Sequence, residues 1–125
     1  WVFVGGFASN FVDLKITKSD NLLSASKKAY MSNFGSTNPS AAIEYAIKQK
    51  MDVDEFVFIT DNDVNSGHNP AKMMKEYRRV MKKPNAKMIV FGLTASSFSI
   101  ADPKDHLMLD CAGFTPDLCS LAVNF

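Results

Sequence analysis

Thr37 and Asp61 are the residues whose types and spacing could do chemistry in this sequence. A hydroxyl and a carboxylate are hard oxygen donors. Mg²⁺ takes such donors in octahedral geometry while keeping several waters, so a few side chains from different loops can hold it. Asp61 follows Phe56-Val57-Phe58-Ile59-Thr60, the pattern of a buried strand that delivers a carboxylate to its carboxyl end. That edge is where ligands bind in open α/β sheets. Thr37 stands 61 − 37 = 24 positions earlier, in the loop Phe34-Gly35-Ser36-Thr37-Asn38-Pro39. In an alternation of strands and helices both loops fall at one sheet edge. On spacing alone a plainer reading weighs more, with Thr37 as a cap or turn hydroxyl and Asp61 as a carboxylate that stabilises its own loop.

The elements that must position this pair follow from periodicity. Trp1 to Phe7 is almost wholly apolar and Phe11 to Ile16 alternates, so two neighbouring strands are expected there, with Gly5 and Gly6 weakening the first. Lys18-Ser19-Asp20 offers caps for a helix in which Leu22, Leu23 and Tyr30 share a face. Pro39 suits the first turn of a helix whose Ala42, Ile43, Ala46 and Ile47 form a small packing face. Phe56 to Thr60 is apolar on both sides, the pattern of a strand covered on both faces. Asn69 and Pro70 open a helix through Met81, with Met73, Met74, Tyr77, Val80 and Met81 at core spacing. Lys87 to Leu93 and Leu107 to Cys111 read as strands, Asp102-Pro103 as a turn, and Thr115-Pro116-Asp117 as the cap of a last helix with Leu118, Leu121 and Val123. The alternation predicts one α/β domain over residues 1–125, with a mostly parallel sheet and right-handed crossovers.

Composition bounds the function. The 125 residues suffice for one domain, and 46% hydrophobic with 22% charged residues describes an ordinary globular chain. A formal charge of +1 gives no global case for nucleic acid or an anionic membrane. No apolar run approaches the roughly 20 residues that cross a bilayer. The opening WVFVGGFASNF lacks a basic leader and reads as a strand, so the domain is expected to be incomplete at its start. Cys111 and Cys119 are expected to be reduced, intracellular thiols.

Three stretches carry a resemblance. GSTNPSAAIEYA, DEFVFITDNDVNSGHNPAKMMKEYRRVM and AKMIVFGLTASSFSIADPKDHLMLDCAGF together resemble the von Willebrand factor A domain of the Ro 60 kDa autoantigen (TROVE-domain) family. The resemblance covers nearly the whole chain. It implies a Rossmann-like three-layer α/β fold and a metal-ion-dependent adhesion site, built from an Asp-x-Ser-x-Ser motif after the first strand, a later Thr and a still later Asp. Thr37 matches the Thr and Asp61 the Asp. The Asp-x-Ser-x-Ser motif and the strand before it do not occur in this sequence, so the chain holds two of five ligands and is expected to bind Mg²⁺ or another divalent cation weakly by itself. The family also implies a non-catalytic ribonucleoprotein component, expected in the cytoplasm and also in the nucleus. It binds Y-type small noncoding RNA and misfolded RNA mainly through helical repeats that this sequence lacks.

Other readings stay open beside this one. A general adhesion or scaffold module would capture a partner's acidic group on the same cation. A Mg²⁺-dependent phosphotransferase would use Asp61 as nucleophile within Asp61-Asn62-Asp63, but Asn65 stands where such enzymes carry a small hydroxyl or branched residue, and no suitably placed Lys is evident. Lys27-Lys28, Arg78-Arg79 and Lys82-Lys83 are local basic pairs for nonspecific phosphate contact, with solvated helix faces the plainer reading. His68 and His106 have no acid-base partner by spacing. Cys111 beside Asp110 reads as a structural thiol.

Overall fold

The structure is a computed structural model that describes residues 2–7, 11–30, 38–60, 69–92, 100–112 and 117–125, without the side chains of residues 7, 29, 30, 112, 118 and 119. Two short strands come first, β1 (Gly5–Phe7) and β2 (Phe11–Asp13), paired antiparallel with Phe7 opposite Phe11. The expected pair forms, but it is shorter than the apolar pattern. Gly5 lies within β1 because a Cβ there would sit 1.9 Å from the Phe11 ring. The glycine that weakens the strand pattern is what admits this aromatic ring.

Helix α1 (Leu22–Tyr30) follows. Its cap is reciprocal, with Ser24 N donating to Asn21 Oδ1 at 2.8 Å and Asn21 N donating to Ser24 Oγ at 3.0 Å. Leu22 and Leu23 do not join the core as the face pattern predicts. They are 85% and 66% exposed.

Helix α2 (Ser40–Lys48), strand β3 (Glu55–Thr60), helix α3 (Pro70–Val80), strand β4 (Lys87–Gly92), strand β5 (Met108–Ala112) and helix α4 (Leu118–Asn124) complete the order. The sheet β3-β4-β5 is parallel throughout, with Phe58 beside Val90 and Met88 beside Met108. Asn69 caps α3 as expected, its Oδ1 accepting from Ala71 N at 2.9 Å and Lys72 N at 3.3 Å. Both α2 and α3 end in Schellman turns. Met51 N donates to Ala46 O, Lys83 N donates to Arg78 O, and Lys50 and Lys82 take the left-handed residue (φ 53° and 55°).

The core lies between α2–α3 and one sheet face. Ile43, Ala46, Ala71, Met74 and Tyr77 pack on Phe56, Phe58, Met88, Val90 and Met108. Met73, Met81, Ala42 and Ile47 border it, whereas Val80 is 41% exposed because it turns away at the last turn of α3. Along β3 the two-faced burial expected from composition is not met. Phe56, Phe58 and Thr60 are buried, while Val57 and Ile59 on the opposite face are about half exposed. Next to them in register, Ile89 and Phe91 of β4 are fully buried, so the second face is covered at the central strand and open at β3.

Candidate functional site

Thr37 and Asp61 both lie outside the described residues, as do His68, the Asn62-Asp63-Val64-Asn65 stretch and the Ser-rich loop 93–99. Their chain neighbours are described. Thr60, directly before Asp61, ends β3 and is buried, and Asn38, directly after Thr37, is buried ahead of α2. The turn Gln49 to Asp54 joins the end of α2 to the start of β3, so the two elements run in opposite directions and the start of α2 lies at the end of the sheet that Thr60 occupies. The chain thus brings Asn38 and Thr60, the described neighbours of the two expected ligands, toward one edge, while the ligands themselves lie outside the described residues.

Polar burial is concentrated at these attachment points. Among the described residues the buried polar side chains are Asn38, Ser40 and Thr60, and Ser40 Oγ donates to Asn38 Oδ1 at 2.5 Å. A buried polar group is costly unless hydrogen-bonded, so polar burial is retained where the fold has a use for it. The sequence gives a weak signal for this cluster, since Asn38 and Ser40 only flank Pro39 in what reads as a helix start. A Thr hydroxyl and an Asp carboxylate fit a hard divalent cation, and the set needs more oxygen donors than these two to close an octahedron. The described residues contain no group of three or more His, Cys, Asp or Glu that could hold a metal ion.

The opposite edge of the sheet is stitched by side chains. Tyr77 Oη donates to Met51 O at 2.6 Å and accepts from Val53 N at 2.7 Å. Lys83 bridges Asp52 and Asp54, contacting the latter at 2.6 Å, and these carboxylates raise the Lys83 pKa while Lys83 lowers that of Asp54. Burial pushes Glu55 up, against the nearby Lys87.

Four of the six residues in the expected basic pairs, Lys28, Arg78, Arg79 and Lys83, are committed to acids. Lys28 holds Asp20 at 2.8 Å, Arg78 holds Asp105 at 2.5 Å and Arg79 holds Glu76, while Lys75 reaches Asp102 at 2.8 Å. Lys27 and Lys82 form no ion pair among the described residues. Cys111 is a free thiol whose pKa is raised by burial and by Asp110, which suits a structural rather than a reactive role. His106 is exposed. No helix of the described residues is long and apolar enough to cross a membrane.

Comparison with known proteins matches residues 2–125 to the family described as Ro60 vWA domain. The RNA-binding protein RO60 of Deinococcus radiodurans is 44% identical over 110 residues, which cover 87% of this chain and 20% of that protein. The RNA-binding protein RO60 of Caenorhabditis elegans is 32% identical over 109 residues, 86% of this chain and 17% of that protein. The crystal structure of the Deinococcus radiodurans RO (RSR) protein superposes with a TM-score of 0.84 at 40% identity, covering 96% of this chain and 24% of that one. The chain therefore spans about a fifth of the length of the curated relatives it matches.

Proposed function

The chain belongs to the Ro60 vWA domain family, and from that premise we propose that it is the non-catalytic interaction domain of a Ro-like RNA-binding protein, with Thr37 and Asp61 forming part of a divalent-cation site at the carboxyl edge of β3. The observation that carries the cation reading is the placement of Asn38, Ser40 and Thr60, the buried polar side chains of the described residues, at the two points where Thr37 and Asp61 attach. Oxygen donors delivered next to buried polar groups are held in place when a cation arrives, so less order has to be imposed on binding.

The remaining donors belong to a strand outside this sequence. Helix α2 supports this, because it covers two sheets at once. Tyr45 packs on Phe11 of the first two-stranded sheet and on Phe3 just before it, with ring centroids 4.9 and 6.0 Å away, while Ile43 and Ala46 join the core on β3. The two sheets share no ladder among the described residues. A strand laid along the open edge of β3 would join them and bring its carboxyl end to the same edge as Asp61. When bound, the cation would supply an electrophilic coordination position for an acidic group of a partner. RNA is held mostly by other parts of the complete protein, since a formal charge of +1 gives this chain little net attraction for phosphate.

Calorimetry on the complete protein tests the cation reading. Asp61→Ala should weaken Mg²⁺ binding at least tenfold, because a carboxylate is the strongest donor that this chain offers. Equal affinity in mutant and wild type removes Asp61 from the site.

A further inference from the structure

We infer that the outer face of α3 is a docking stripe for an acidic polypeptide segment of a partner protein. Lys72, Lys75 and Arg79 follow one another at steps of three and four residues, so they form one row along the helix. All three are exposed, and the row is about 10 Å long at a rise of about 1.5 Å per residue. The face that packs on the sheet is a different one, carried by Ala71, Met74 and Tyr77. Lys82, in the turn that closes α3, is exposed at the end of the row. Lys104 joins it from the side, because Lys75 reaches Asp102 at 2.8 Å and the Lys104 amide donates to the same carboxylate at 3.0 Å. Lys75 and then Lys104 hold Asp102 below the ordinary carboxylate range.

Positive charge is concentrated here. Residues 70–80 with the segment 102–105 hold five Lys and Arg against three acids, an excess of 5 − 3 = 2, whereas the rest of the chain nets 1 − 2 = −1. The acids on this side do not consume that charge. Arg79 holds Glu76 and Lys75 holds Asp102 with the cationic side chains 72% and 56% exposed, and ion pairs in that setting are weak enough to be exchanged for a partner's carboxylates. Lys72, Lys82 and Lys104 form no ion pair among the described residues. Complementary charge sets the partner's sign, and the helix sets its kind. Single-stranded RNA is held by a cationic track combined with aromatic faces for the bases. Tyr77, the one aromatic residue of α3, is fully buried, and Glu76 interrupts the track, so separate carboxylates fit this face better than a continuous phosphate backbone. The inference rests on the reading of the chain as an interaction domain and not on the cation.

Fluorescence anisotropy on the complete protein tests this, with labelled oligoglutamate as the probe at about 0.01 M salt, where the Debye length is about 30 Å. Lys72→Gln, Lys75→Gln and Arg79→Gln together should weaken oligoglutamate about tenfold and an oligouridylate of equal charge less than about twofold. Lys72→Arg, Lys75→Arg and Arg79→Lys together keep the charges and should keep the affinity. No binding of oligoglutamate to the wild type, equal affinity in the glutamine variant, or an equal loss in the charge-conserving variant overturns the proposal. A loss for oligouridylate as large as that for oligoglutamate overturns it as well and assigns the stripe to RNA. The ratio between wild type and glutamine variant should persist in EDTA and in an Asp61→Ala background, so failure of the cation assignment is read separately; a ratio that vanishes in EDTA overturns this inference.

Discussion

Tyr77 shows how a single residue was read correctly for one half of its chemistry. Helical spacing marks it as core, and it is fully buried, its ring meeting Phe56 edge-on at 5.0 Å. Its hydroxyl does what no spacing reveals, joining Met51 O and Val53 N across the turn that leads into β3. Tyr77→Phe keeps the ring and strands those two backbone groups, so it should cost about 1–3 kcal/mol in denaturant unfolding. A loss below the error of the measurement would mean that water replaces the hydroxyl. Gly5 gives a second test at this scale, since Gly5→Ala drives a methyl into the Phe11 ring. It should lower the melting temperature by several degrees, and an unchanged value would show that the ring moves aside freely. The strand end at Thr60 was legible and Thr60 sits there, buried, while Asp61 itself lies outside the described residues. Asn38 and Ser40 were not legible, because their burial depends on what packs over them and not on their own pattern.

Elements were legible where periodicity is strong and long. The helix opened by Asn69-Pro70 and the strands beginning near Phe56 and Lys87 appear within a residue or two of their expected ends. Faces were less legible, because a face is apolar in the sequence whether its cover lies within these residues or elsewhere; Val57, Ile59, Leu22 and Leu23 are the cases in point. Interactions between elements were not legible at all. Lys75 and Arg78, one turn apart on α3, reach Asp102 and Asp105 in the segment before β5, and Arg78 Nε also donates to Ala86 O at 2.9 Å. For Asp105 burial raises the pKa, but the Arg78 hydrogen bond, the Leu107 amide and the positive charges outweigh it, and the carboxyl titrates below its ordinary range. A depressed folded-state pKa stabilises the fold fully above the unfolded value, near 3.9, and that contribution is lost as pH falls through the lower folded value. Asp105→Asn should therefore cost about 1.5–3 kcal/mol at pH 7 and flatten the acid limb of the stability curve. Parallel curves for mutant and wild type between neutral and acid pH would show that the pair does not link α3 to the sheet electrostatically.

For the whole molecule, the two edges of the parallel sheet are built differently. The amino edge is tied by Tyr77 and by Lys83 between Asp52 and Asp54, whereas the buried polar side chains Asn38, Ser40 and Thr60 stand at the start of α2 and the end of β3, next in the chain to the proposed cation ligands. Stitching one edge leaves the other for ligands, the usual division in open α/β sheets. The same accounting of charge bears on RNA. The fourteen Lys and Arg are nearly balanced by thirteen acids, and the pairs that looked suited to phosphate are partly spent, with Lys28, Arg78, Arg79 and Lys83 each holding an acid. Lys27 and Lys82 are the members of those pairs left without an ion pair among the described residues. Each phosphate contact that a protein loses lowers the slope of log affinity against log salt by about 0.7–0.9. If RNA is held elsewhere in the complete protein, Lys27→Gln with Lys82→Gln should leave both the affinity and that slope unchanged within error. A slope smaller by about 1.5 would place both lysines on phosphates, and this domain would then share directly in holding RNA.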